Sequence, residues 1–182
     1  RTTAFSGCAG LTDFSVPADS AYSVIDGVLF NKDQNTLILC PEGRTGSFTI
    51  PDSVTKMEAY AFAGCAGLTN ISIPNTIDTI STNAFCNCTG LTNIVIPSSV
   101  HRLCDSAFTG CTGLSSIIIP SSVNWMEVLL FSDCTNLTSV FFEGDAPKSV
   151  SSTFFTIFFN ANQVKVYYRA GTTGWRTTFG DR

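Results

Sequence analysis

Charge is scarce in this chain. Asp, Glu, Lys and Arg make up 13% of its 182 residues, and His101 is its one histidine. The formal net charge is −4, so it has none of the basic footprint that holds a nucleic acid backbone. No apolar run reaches the ~18 residues that a membrane-spanning helix needs, and no membrane insertion is expected. No secretory leader is legible. The chain opens inside the unit AFSGCAGL (4–11), so it reads as a piece of a longer protein, and the missing leader fixes no compartment. A phosphate-cradling glycine loop, a nucleophile elbow and a recurring carboxylate pair are all missing. An enzyme has no residues to stand on, and neither a cofactor nor a metal is expected.

What is present is apolar bulk, at 44%, together with eight cysteines. The apolar share argues for an ordered core and against disorder. An even cysteine count invites a disulfide framework, so the positions must be read first.

Those positions repeat. AFSGCAGLTDFSVP (4–17), AFAGCAGLTNISIP (61–74), AFCNCTGLTNIVIP (84–97), AFTGCTGLSSIIIP (107–120) and LFSDCTNLTSVFFE (130–143) align without gaps. Pro51, Pro74, Pro97 and Pro120 are spaced by 23, as are Cys65, Cys88, Cys111 and Cys134. A fixed period of this size means a solenoid with one coil per repeat.

Each column then has a physical role. Leu68, Ile71 and Ile73, with Leu91, Ile94, Ile96 and Leu114, Ile117, Ile119, alternate as a strand does and point inward. The proline that follows lacks an N–H and turns the chain. Val54/Met57, Ile77/Ile80, Val100/Leu103 and Val123/Met126 line the opposite wall, with Phe5, Phe62, Phe85, Phe108 and Phe131 as a spine beside it. Gly7, Gly64, Asn87, Gly110 and Asp133 form one turn column, and Gly10, Gly67, Gly90, Gly113 and Asn136 a second. These residue types tolerate positive φ, so both columns are expected to be left-handed.

The first interval breaks the period. Pro17 to Pro51 is 34 residues, which is 23 plus 11. GVLF and TLIL flank the polar NKDQN, so a β-hairpin inserted at about 24–41 is expected. Beyond Phe142 the pattern dissolves. Residues 1–144 read as the repeats, and 145–182 as a capping segment of the same domain, since a solenoid must cover its last open coil. Trp125, Val128, Leu129 and Phe141 replace polar or small residues of earlier repeats, which suggests that something covers them.

The pattern CxGLTxIxIPxxVxxIxxxAFxxC resembles the BspA-like class of bacterial leucine-rich repeat. The tail VFFEGDAP…VKVYYRAGTTGW is also similar to the closing segment of such proteins. The resemblance implies an α/β, β-rich, right-handed leucine-rich-repeat solenoid with a concave parallel sheet. It also implies an extracellular or cell-surface protein used for adhesion and protein binding, with partners that include extracellular matrix or host surface proteins. Leu130 in place of Ala and Glu143 in place of Pro depart from the pattern in the last repeat.

Cys8, Cys65, Cys88, Cys111 and Cys134 form one column. Neighbours one coil apart lie roughly 4.8 Å apart with parallel Cα–Cβ vectors, which leaves the Cβ atoms too distant for an unstrained disulfide. A straight column also cannot converge on a metal. Buried free thiols are expected, and Cys40 is placed in the core. Cys86 and Cys104 stand in columns that read as solvent-facing, where either could react. His101 and Cys104 are three apart, but their columns are polar and exposed, so a dyad is not expected. The sequons at Asn70, Asn87 and Asn136 coincide with repeat and turn positions.

The concave face, with its outward strand columns, is the best place for binding. One of them drifts from Ser72 through Val95 and Ile118 to Phe141, rimmed by Thr92, Asn93, Ser115 and Ser116. Exposed apolar stripes rimmed by hydroxyls mark interaction sites. These seven residues are the candidate partner contacts of a non-enzymatic binding module, and an inert spacer presenting another domain is the alternative.

Overall fold

The structure, a computed structural model, describes residues 2–149 and 156–175. It is a β-solenoid whose equivalent strands pair in parallel from coil to coil. One wall holds two sheets. The first is β4 (Thr45–Thr49), β6 (Gly67–Ser72) and β8 (Asn93–Ile94); the second is β10 (Ser116–Ile119), β12 (Ser139–Phe142) and β14 (Lys165–Tyr168). The opposite wall is the ladder β7 (Thr79–Ile80), β9 (Arg102–Leu103), β11 (Trp125–Met126) and β13 (Lys148–Ser149). Helix is nearly absent from the described residues; Thr2–Phe5 form one 3-10 turn.

The columns build the coil as their chemistry dictates. Pro51, Pro74, Pro97 and Pro120 follow the first-wall strands. Their carbonyls accept the N–H groups of Val54, Ile77, Val100 and Val123 at 3.0–3.2 Å and swing the chain across to the opposite wall. The two inward sets, Leu68/Ile71/Ile73 and Ile77/Ile80 with their equivalents, are buried against each other between the walls. Phe62, Phe85, Phe108 and Phe131 are fully buried and stack ring on ring at 5.4 Å. The backbone beside them is stitched coil to coil, for example Phe85 N–H to the Ala107 carbonyl at 2.8 Å.

Phe5 does not join the spine. It is 44% exposed and meets Phe14 edge-on at 5.2 Å. The long first interval puts Cys40 where a spine phenylalanine would be: its N–H donates to the Ala61 carbonyl, as Phe62 N–H donates to Ala84. Phe48 caps Phe62 instead, at 6.0 Å. Phe158 continues the spine at the other end, stacked on Phe131 at 5.7 Å. It is followed by Asn160 at φ 59, in the column of Asp133. Residues 156–168 therefore repeat the coil with a divergent sequence.

The first turn column is left-handed throughout, from Gly64 at φ 77 and Asn87 at φ 58 to Gly110 at φ 72 and Asp133 at φ 58. The second is not, and the expectation of positive φ there is wrong. Gly10, Gly67, Gly90, Gly113 and Asn136 are absent from the positive-φ set. Glycine is required at the interior positions by proximity. A Cβ on Gly113 would lie 2.6 Å from the Thr89 carbonyl oxygen and 2.9 Å from that of Leu91, in the preceding coil. Asn136 uses the same approach differently, donating from Nδ2 to the Thr112 carbonyl at 2.7 Å. A further left-handed column, Tyr60, Asn83, Ser106 and Leu129, lies two residues before each phenylalanine. Only Asn83 signals it in sequence. Tyr60 and Leu129 sit there at a cost of roughly 1–2 kcal/mol each.

In the long first interval, β2 (Val28–Asn31) and β3 (Thr36–Leu39) pair antiparallel across NKDQN. The Asn31 side chain organises that turn by accepting the Asn35 and Thr36 N–H groups at 3.0 Å. A further strand, β1 (Tyr22–Ile25), pairs with β2 through Asp26 and Gly27, both at positive φ. Asp-Gly between apolar runs is a strong hairpin signal, so the turn was legible. The strands are also integral to the coil: β3 pairs in parallel with β5 (Lys56–Met57) as part of the opposite wall.

Candidate interaction face

The first wall turns one face to the core and the other to solvent. Strand alternation sends Leu91, Ile94 and Ile96 inward and leaves Thr92, Asn93 and Val95 exposed. The next coil exposes Ser115, Ser116 and Ile118 in the same way. Ile118 pairs with Phe141, and Phe141 with Tyr167. Val95 holds the same repeat position one coil before Ile118, at the end of the neighbouring sheet, so Val95, Ile118, Phe141 and Tyr167 form one column along the axis, with exposures of 69, 55, 42 and 43%. Phe141 and Tyr167 stack at 4.7 Å with ring planes 14° apart.

All seven sequence-nominated residues lie on this face and are exposed. Tyr167 was missed, because the coil that carries it lacks the cysteine, glycine and proline columns that anchor the alignment. The signal present was the alternation of Val164, Val166 and Tyr168 in VKVYY, which puts Tyr167 on the outward side. Part of the hydroxyl rim serves the fold. Thr92 Oγ1 and Thr138 Oγ1 donate to the Thr69 and Ser115 carbonyls of the preceding coil at 3.3 and 3.1 Å. Of the four residues expected to be covered, Trp125 and Val128 are half-buried, whereas Leu129 and Phe141 keep 38 and 42% of their surface.

The opposite wall holds the polar cluster. Glu127, 8% exposed, accepts from the Arg102 guanidinium and, at 3.0 Å, from the Asp105 N–H. Asp105 accepts the Val128 N–H at 3.1 Å, tying the two coils together. The Arg102 guanidinium also sits 6.0 Å from the Trp125 ring centroid. Cys104 lies beside this group. Burial first, then the Glu127 charge, pushes its thiol up and keeps it protonated at neutral pH. His101 is exposed, and its carbonyl accepts the Asn124 and Trp125 N–H groups. The Arg102 guanidinium pulls the Cys104 thiol down but does not offset burial and Glu127.

The cysteine column holds free thiols. Cys88, Cys111 and Cys134 are fully buried, and each donates its S–H to a carbonyl of the preceding coil, those of Phe62, Phe85 and Phe108, at 3.0–3.1 Å. Burial pushes all three up, Cys134 to about 12. Cys65 is buried likewise, and Cys40 is in the core. Cys8 departs from the column and is exposed. Cys86 and Cys104 are half-buried, less open than their columns suggested, because neighbouring coils close over the turn. Burial raises Cys86 as well. Alkylation of the native protein is therefore expected to be fastest at Cys8. Cys86 and Cys104 should follow more slowly and speed up as pH rises toward their raised pKa values, while Cys88 and Cys111 stay protected. Mass spectrometry of the labelled peptides reads the order; labelling of Cys88 at the rate of Cys86 would contradict the burial.

Coils stacked through parallel strands with an inward leucine and isoleucine ladder define a leucine-rich-repeat scaffold, a class built for protein interaction. The chain belongs to the BspA type leucine rich repeat family, whose repeat matches in six copies over residues 39–163. No curated protein matches the chain. Among solved structures it is similar to a leucine rich cell surface protein from Faecalibacterium prausnitzii A2-165, at 32% identity and a TM-score of 0.81, covering 96% of this chain and 45% of that one. It is also similar to a leucine-rich repeat protein from Eubacterium ventriosum ATCC 27560, at 27% identity and a TM-score of 0.79, covering 88 and 43%. The pneumococcal vaccine antigen PcpA shares the fold at 22% identity and a TM-score of 0.75, covering 90 and 40%. The chain spans less than half the length of each of these proteins.

Proposed function

We propose that this chain is a non-enzymatic protein-binding module of a surface or secreted protein, and that it binds through the exposed face of the first wall. The exposed apolar column Val95, Ile118 and Phe141, extended by Tyr167, carries the reading. An apolar ladder kept in solvent forgoes burial worth roughly 25 cal/mol per Å², and covering it with a partner recovers that. Thr92, Asn93, Ser115 and Ser116 supply the polar rim of such an interface. The bacterial cell-surface relative makes extracellular matrix and host surface proteins the first partners to try.

Ile118→Asp places a charge at the centre of the stripe without touching the core. Capture of immobilised extracellular matrix proteins should fall about tenfold or more, with the melting temperature unchanged within a few degrees. Undiminished capture by a folded Ile118→Asp variant would remove this face from the binding site.

A further inference from the structure

We infer that the outer edge of β14 accepts an added strand from a partner protein: an extended segment, apolar at alternate positions and acidic at its flanks. The inference rests on the reading of the first wall as a binding surface, and adds where the partner's main chain runs.

The peptide groups of β14 alternate in direction. Lys165 N–H donates to the Thr138 carbonyl at 2.8 Å, and Arg169 N–H to the Phe142 carbonyl at 3.0 Å. Strand alternation therefore turns Lys165, Tyr167 and Arg169 toward β12, and the N–H and C=O groups of Val166 and Tyr168 away from it. Among the described residues β14 is the last strand of its sheet, and those outward groups meet no partner. Sheet edges are usually blunted by proline, by a bulge, by brevity or by charged side chains, lysine above all; here the charges, Lys165 and Arg169, stand at the two ends and leave Val166, Tyr167 and Tyr168 between them. β14 has no proline, and its register with β12 runs unbroken over four pairs.

The side chains suit an added strand. Tyr167 already stacks on Phe141, so an apolar side chain on the next strand finds the other face of the Tyr167 ring. Tyr168 is 55% exposed and is propped from behind by Trp175, stacked at 4.9 Å and 10°. Charge then chooses the occupant. The exposed cations Lys165 and Arg169 bracket the strand. A second copy paired in register would set cation against cation, whether parallel or antiparallel, and like charges across a ladder are disfavoured. An acidic-flanked segment meets both cations with opposite charge, and strand addition to an open edge is an established recognition mode.

Amide hydrogen exchange of the whole chain tests this. In the free protein the Val166 and Tyr168 amides should exchange fast while Tyr167 is protected. A saturating hexapeptide EVYVYD should slow both by about tenfold or more. The same peptide N-methylated at alternate amides keeps its side chains but loses one hydrogen-bonding edge. It should bind about fivefold to thirtyfold more weakly, as the loss of two main-chain hydrogen bonds implies. Three results would overturn the inference. One is protection of both amides in the free protein at every concentration, another is protection that rises with protein concentration alone, and the third is equal binding of the methylated peptide. In the last case, sensitivity of peptide binding to Ile118→Asp would leave the binding face standing and remove the edge; insensitivity would remove both.

Discussion

Phe85→Ala is expected to destabilise the fold by about 3–5 kcal/mol, lowering the melting temperature by roughly 6–20 °C. Phe85 is fully buried with Phe62 on one side and Phe108 on the other, each at 5.4 Å and nearly parallel. The substitution removes the ring's burial, leaves a cavity between two coils and breaks two stacking contacts worth about 0.5–1.5 kcal/mol each. A solenoid touches only its neighbours, so the damage concentrates at the two interfaces of that coil. Phe5→Ala is the control. Phe5 is 44% exposed and meets only Phe14 among the aromatic rings described, so its loss should cost less than about 1 kcal/mol. Chemical denaturation of both variants decides the matter, and similar losses for the two would refute a spine that begins after Phe5.

Gly113→Ala should be strongly damaging for a change of one methyl group. Its Cβ would stand 2.6 Å from the Thr89 carbonyl oxygen and 2.9 Å from the Leu91 carbonyl oxygen. Both obstacles are backbone held in the preceding coil, so the coils must separate. Overpacking of this kind costs about 1–3 kcal/mol and at times more. Gly10→Ala occupies the same repeat column but meets nothing within 4 Å. It should be neutral, or stabilising by up to about 1 kcal/mol through the lower entropy of the unfolded chain. Melting temperatures that fell equally in the two variants would point back to a conformational requirement for glycine, which the backbone angles do not show.

Much of this architecture was legible because a repeat reports each position several times. One Leu68 says little. Leu68, Leu91 and Leu114, each followed by isoleucines at the same offsets, say that a strand turns that side inward. The same redundancy separates Cys88 from Cys86: the first belongs to a column of buried donors, and the second is a substitution at a turn. Legibility failed where position and neighbour matter more than residue type. Gly64 and Gly67 look alike in sequence. One is needed for its backbone angle and the other for the coil packed against it, and only the stacked structure separates the two causes. Phe5 matches Phe62 letter for letter, yet burial depends on what lies alongside, and the long first interval puts Cys40 in the place it would have held. Tyr167 escaped notice because a divergent coil dropped the markers of the repeat while keeping its shape.

The sequence by itself determined the period, the two apolar walls, the turn at each proline, the free cysteine column and the exposed stripe from Val95 to Phe141. These follow from local chemistry repeated at a constant interval. The tertiary structure alone decided which columns are closed by a neighbouring coil, that the phenylalanine spine passes over Phe5 and continues through Phe158, and that β14 is the edge strand of its sheet among the described residues. Those are properties of contact between coils, and contact is set by the stacking of the whole array.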